Sequence, residues 1–261
     1  MQFSEMLDTV ERVGDDWQAQ VSEDWLQGRS AFGGLQAALA WRAMRALAPA
    51  EWPLRTLQTT FVAPVPVGLL RIGARILRTG KSALQIEARL LDGEQTLCLL
   101  VGVFGAARPS TIQLAPTQPA IDAATPRTVP FIPGVIPNFT QHFQANWLRG
   151  DLPFSGGSDP EQVIDLSLRD AGRVDEGHVL AMADFIPPIA LSMFRTPVAG
   201  SSLSWMIELL RDRYDDLGVQ HWRLDAQLLA ARDGYTEQNV MLWGPRGEPV
   251  ALSRQSMVVF G

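Results

Sequence analysis

Cysteine is almost missing from this sequence, with Cys98 the only one in 261 residues. One thiol forms no internal disulfide and builds no cysteine-rich metal centre, so a structural zinc site is excluded. Histidine is scarce too. His142, His178 and His221 have neither metal-ligand spacing nor an HExxH pattern, read as solvated or core-edge residues, and call for no metal or other cofactor. Positive charge falls short of negative, 22 Lys and Arg against 28 Asp and Glu, a net −6 with a pI near 5.1. That balance leaves no field to gather phosphate backbones and argues against a nucleic-acid partner. Long apolar runs are also lacking. The opening MQFSEMLDTVERVGDDW has neither the basic start nor the apolar stretch of a signal peptide, and the longest apolar run, 97–107, is about half a membrane span. A soluble cytoplasmic protein with no membrane partner is expected.

What the chain does contain is a repeat. RTGKSALQIEARLLDGE, from Arg78, matches RDGYTEQNVMLWGPRGE, from Arg232, without a gap at a spacing of 154 positions. Gly80 falls opposite Gly234, Ser82 opposite Thr236, Ile86 opposite Val240, and Gly93-Glu94 opposite Gly247-Glu248. The copies end alike, in VGVFG at Gly105 and MVVFG at Gly261. Two copies are too few for a solenoid and suit a duplicated domain.

Each copy carries a helical segment and then strands. FGGLQAALAWRAMRALA, from Phe32, is alanine-rich and free of proline, with Leu35, Leu39, Met44 and Leu47 on a buried face. Its glycines Gly33 and Gly34 stand at the start, where backbone approaches a ligand closely and N–H groups are unpaired. Turn signals then separate strands at 54–62, 69–77, 84–91 and 96–104, an antiparallel meander. In the second copy HVLAMADFIPPIALSMF, from His178, is the helix candidate, with strands near 202–210, 222–230, 238–243 and 250–260. Trp205, Trp222 and Trp243 fall on these strands and read as packing residues.

The intervening PSTIQLAPTQPAIDAATPRTVPFIPGVIPNF holds seven prolines, so it is neither a long helix nor a central strand. It reads as a linker whose Phe131, Ile132, Val135 and Ile136 pack along a surface. The expected domains are 1–115, a linker at 116–134, and 135–261. Each half is a helix wrapped by an antiparallel sheet, an α+β arrangement whose two sheets can join edge to edge.

FGGLQAAL, LQTTFVAPVPVG and RTGKS in the first half, with ADFIPPIAL, SSLSWM and SRQSMVV in the second, resemble the acyl-CoA thioesterase II family. The resemblance covers nearly the whole chain and implies a double hotdog, two fused hotdog folds forming a pseudo-dimer. It also implies hydrolysis of acyl-CoA by a water held between an Asp, a Thr and a Gln. The matching positions are Asp184, Ser202 and Gln255. Serine for threonine keeps the hydroxyl, while Ser204 and Trp205 replace an Asp-His pair that the family commonly has.

The residue types suit that chemistry on physical grounds. A carboxylate accepts a proton from water, a hydroxyl and an amide orient the water, and donors must face the oxygen that becomes negative. Gly33 and Gly34 are the candidate donors, because a helix N-terminus favours an oxyanion. There is no GxSxG elbow, and Cys98 lies in an apolar strand, so an acyl-enzyme finds little support. Setting the copies side by side puts Phe32 opposite Asp184 and Leu99 opposite Gln255, which implies one site per chain.

Plainer readings exist for each residue. Asp184 can be a helix N-cap with Pro187 in the first turn, Ser202 an ordinary strand serine, and Gln255 a solvent-facing amide. Arg78, Lys81 and Arg232, at equivalent turns, can meet the phosphates of coenzyme A or merely face solvent. A hotdog hydratase or dehydratase needs a histidine paired with an acid at a helix start, and none of the three histidines falls in a recognisable pairing of that kind. A non-catalytic acyl-thioester or lipid-binding protein would keep the apolar channel without the polar set. Large aromatics on both faces of the strands also imply a homo-oligomer.

Overall fold

Two short amphipathic pieces open the chain, α1 (Phe3–Asp8) and the hairpin β1 (Glu11–Val13) and β2 (Asp16–Val21). A small ribbon, β3 (Leu26–Gln27) with β4 (Ser30–Ala31), leads into α2 (Gly33–Arg45). Four long strands follow: β5 (Leu54–Phe61), β6 (Gly68–Thr79), β7 (Ala83–Asp92) and β8 (Gln95–Gly105). The second half runs β9 (Arg127–Thr128), β10 (Phe143–Arg149), β11 (Glu161–Leu168) and α3 (Glu176–Ala183). It then runs β12 (Ala199–Leu209), β13 (Trp222–Arg232), β14 (Tyr235–Trp243) and β15 (Pro249–Phe260). The computed structural model describes residues 1–122 and 125–261, so positions 123 and 124 of the expected linker lie outside the described residues.

Thirteen strands form one antiparallel sheet in the order β1-β2-β6-β7-β8-β5-β12-β15-β14-β13-β11-β10-β9. Its centre is the pairing of β5 with β12, where Thr59 faces Trp205 and Leu57 faces Ile207. From that seam the order β5-β8-β7-β6-β2 on one side is matched by β12-β15-β14-β13-β11 on the other. The repeat seen in the sequence is therefore the repeat of the sheet. Gly80 and Gly234 occupy one hairpin turn, Gly93 and Gly247 the next. Gly93, Gly234 and Gly247 have φ of 55°, 79° and 81°, where a side chain would strain the turn.

Alternation builds the inner face. In β7, Leu84, Ile86, Ala88 and Leu90 are buried while Gln85 and Arg89 are exposed. The two helices lie against that face side by side and antiparallel. Gly34 at the start of α2 meets Ala181 late in α3, and Gly177 at the start of α3 meets Trp41. A Cβ on Gly34 would stand 3.0 Å from the Ala181 Cα, so the crossing needs a glycine there. Trp41, Trp205, Trp222 and Trp243 are all buried, and truncating one such side chain costs about 3–5 kcal/mol.

Three expectations need correction. The single helix expected over 178–194 is two pieces, α3 ending at Ala183 and a 3-10 turn at Ile189–Met193. Pro187 and Pro188 offer no N–H and cannot continue a helix, so they part the two. Within the linker Phe131 and Ile136 are half-buried, but Ile132 and Val135 are exposed, and β9 pairs with β10 at the outermost edge of the sheet. His178 is neither solvated nor at the core edge, and contrary to expectation it does pair with an acid at a helix start, that of α3. It is buried between two carboxylates, with Nε2 2.9 Å from Asp170 Oδ2 and Nδ1 2.8 Å from Asp175 Oδ1.

Candidate active site

The break after α3 sets the position of Asp184. The helix N-cap is Asp175, whose side chain accepts from the His178 N–H, while Asp184 closes the helix at the other end. The N-cap reading of Asp184 is thereby removed: its carboxyl points instead at the sheet and at the start of α2.

Two strands bring its partners. Gln255 lies on the inner face of β15, where alternation also buries Ser253 and Met257. Ser202 lies on β12, just before a bulge between Ser202 and Ser204. The Gln255 Nε2 donates to Asp184 Oδ1 at 2.9 Å and to Ser202 Oγ at 2.8 Å. Asp184 and Gln255 are buried and Ser202 is half-buried, so the cluster borders the surface at Ser202. Residues 184, 202 and 255 thus converge through one amide, and the solvent-facing reading of Gln255 is excluded.

Burial pushes the Asp184 carboxyl up to about 7, against the Gln255 amide and the Gly34 N–H, which both favour its charge. The group therefore changes protonation near neutral pH, as a proton acceptor needs. Cys98 is buried nearby, its thiol pushed far up by burial and by the Asp184 charge, which makes it inert as a nucleophile.

The first half supplies the opposite wall. A Cβ on Gly33 would meet Asp184 Oδ2 at 2.7 Å and the Phe61 ring at 3.1 Å, so only glycine lets α2 start this close. The Gly34 N–H is near enough to favour the Asp184 charge. Both glycines of the expected oxyanion pair thus stand at the start of α2 beside the carboxylate.

Arg78, Lys81 and Arg232 do not come together. The cross-strand row from Arg232 runs through Tyr235 and Val258 to Ser201, beside the cluster. The row from Thr79 runs through Leu84 and Phe104 to Leu54, at the far end of β5 from Phe61, roughly 20 Å or more away at the strand rise. The symmetry of the seam sends equivalent turns to opposite ends of the sheet. Arg232 itself is exposed beside Asp233, at 3.3 Å.

Comparison with known proteins agrees with this architecture. A family model described as the acyl-CoA thioesterase N-terminal domain matches residues 21–105, and one described as the acyl-CoA thioesterase C-terminal domain matches residues 115–259. No curated protein sequence matches the chain. Among solved structures, a hot dog fold protein of unknown function from Alicyclobacillus acidocaldarius has a TM-score of 0.86 at 20% identity, covering 99% of this chain and 98% of that one. A putative thioesterase II from Thermobifida fusca has a TM-score of 0.82 at 20% identity, with 99% and 97% covered. An acyl-CoA thioesterase II from Mycobacterium marinum has a TM-score of 0.76 at 16% identity, with 99% and 98% covered. At these identities the structural likeness establishes the hotdog fold and no more. The C-terminal domain model alone spans more than half of the sequence, and with its N-terminal counterpart it places this chain in the acyl-CoA thioesterase family.

Proposed function

We propose that the protein hydrolyses acyl-CoA thioesters to the free acid and CoA with an activated water, on a double hotdog whose halves, 1–115 and 135–261 with a linker at 116–134, act as a pseudo-dimer. The observation that carries this reading is the Gln255 amide bridging a neutral-range carboxyl and a hydroxyl at the edge of the buried interior. Water bound there gives its proton to Asp184 as its oxygen bonds to the thioester carbon. The tetrahedral adduct then collapses, the carbon–sulfur bond breaks, and the sulfur leaves with the proton as CoA thiol. Gln255 and Ser202 fix the water, which lowers the entropy still to be lost at the transition state. Of the three basic side chains only Arg232 is at the right end of the sheet to meet a CoA phosphate. The reading includes a cytoplasmic homo-oligomer acting on fatty acyl-CoA, and light scattering at micromolar concentration tests the assembly.

Free-thiol release across acyl-CoAs from short to long chains tests the reaction. Release from at least one chain length is expected, and none from folded protein would favour a binding protein instead.

Two finer outcomes follow from the geometry. Ser202→Ala should lower turnover by roughly ten-fold or more, while Ser202→Thr, stiffer at χ1 in a strand, should keep or modestly raise it. Unchanged kcat in the alanine variant would remove the hydroxyl from the mechanism. The base must be ionised, so kcat/KM should rise with pH through about 7. Gln255→Leu removes a group that favours the charge, and its acidic limb should move to higher pH as the plateau falls. A limb in the same place for both proteins would mean that another group titrates.

A further inference from the structure

A second buried glutamine stands next to the first. Gln238 on β14 is directly opposite Gln255 on β15, and both side chains face the interior. Opposed residues on one face have Cβ atoms about 5 Å apart, so the two amides share one neighbourhood. Gln238 is 0% exposed. Its Oε1 accepts from the Ile189 N–H at 3.0 Å, which fixes the amide orientation and leaves both Nε2 hydrogens pointing elsewhere. That Nε2 has no acceptor among the described residues. A buried donor left unpaired costs about 1–3 kcal/mol, and the fold does not require it, because the gap-free repeat puts Leu84 at the equivalent position of the first half. By the sequence repeat, Gln238 and Gln255 thus fall opposite Leu84 and Leu99 and have no glutamine counterpart in the first half.

We propose that the Gln238 Nε2 is a donor to the thioester carbonyl oxygen, taking up its negative charge when water adds to the carbon. The inference rests on the hydrolase reading above and adds a side-chain donor to the candidate amides of Gly33 and Gly34. Gln255 holds the water, and Gln238, one strand away, holds the oxygen. A donor already held in place and already dry needs little reorganisation as the charge develops, and removal of one such donor from other enzymes costs about 100- to 1,000-fold in kcat. The bond to Ile189, five residues beyond Asp184, keeps the amide in place.

The competing role is that of a strap holding the Ile189–Met193 turn to the sheet. Two variants separate the roles: Gln238→Met removes both donor and strap, whereas Gln238→Glu keeps the acceptor that Ile189 uses. At pH 8 both should lose about 100-fold in kcat with KM within about three-fold; a Gln238→Glu enzyme with native kcat would leave only the strap. The second readout is independent of turnover. A 13C-carbonyl ketone analogue of acyl-CoA, with methylene in place of sulfur, should show a lower carbonyl stretching frequency bound to the native protein than bound to Gln238→Met. Equal frequencies would overturn the contact, while thiol release by the native protein would leave the hydrolase reading standing. A lowered frequency without any thiol release would keep the contact and overturn the hydrolase reading. No bound carbonyl signal and no thiol release would overturn both.

Discussion

Asp184→Asn should lower acyl-CoA turnover by roughly 100-fold or more while leaving the protein folded. Asparagine has the size of aspartate and its Oδ1 still accepts from Gln255, but it takes no proton from water. Stability should change in the opposite sense to activity. Burial raises the Asp184 carboxyl from 3.8 to about 7, so its favourable contribution to folding is full below 3.8 and is lost as pH rises through about 7. At about 1.4 kcal/mol per pKa unit, the ionised group costs the folded protein a few kcal/mol at pH 8. Thermal unfolding should show the asparagine variant more stable than the native protein at pH 8, with the gap closing towards pH 4. Native turnover in the variant, or a stability loss equal at both pH values, would mark Asp184 as structural.

The second large effect is expected far from the water site. His178 lies between Asp170 and Asp175, and the Ser4 hydroxyl donates to Asp170 at 2.6 Å, so α1 and the N-terminus of α3 are tied at one point. Burial opposes the histidine charge, but hydrogen bonds to Asp170 and Asp175 and their charges outweigh it and lift His178 to about 9. Burial likewise opposes the charge on Asp170, and the bonds from His178 and Ser4 outweigh it and hold that carboxyl at about 2. His178→Leu leaves a buried carboxylate without its cation, and should cost about 3–5 kcal/mol in urea unfolding. The histidine contribution is full below 6.5 and is lost as pH rises through about 9; that of Asp170 is full above 3.8 and is lost as pH falls through about 2. A leucine variant as stable as the native protein at pH 5.5 would contradict the clamp. Because α3 begins at this clamp and ends at Asp184, loss of kcat beyond the loss of folded protein would show that the clamp also positions the base.

The strands of both meanders were legible because turn glycines and alternation coincide there: the segments read at 69–77 and 250–260 are β6 and β15 to within two residues at either end. β11 was not legible, since EQVIDLSL is buried along nearly its whole length and shows no period of two. The prolines at 187 and 188 carried the true signal for the end of α3, but the same pair also suits the first turn of a helix, and local chemistry does not choose between them. Asp184, Ser202 and Gln255 are too far apart in the chain for spacing to join them. They were found by family resemblance, and the pairing of β12 with β15 explains why they meet. Gln238 had no such signal. Its importance depends on a register and on an unpaired atom, neither of which composition or periodicity contains. The His178 clamp is similar, since Asp170, Asp175 and Ser4 form no recognisable motif.

The central claim is that a water held by Asp184, Ser202 and Gln255 attacks the thioester directly. A single turnover in 18O-water, with enzyme in excess over an acyl-CoA that it cleaves, tests this most directly. Direct attack predicts that the free acid of the first turnover carries one 18O and that Asp184 carries none. An unlabelled acid with 18O in the Asp184 carboxyl would mean that the carboxylate itself attacks and passes through an anhydride, and would contradict the account.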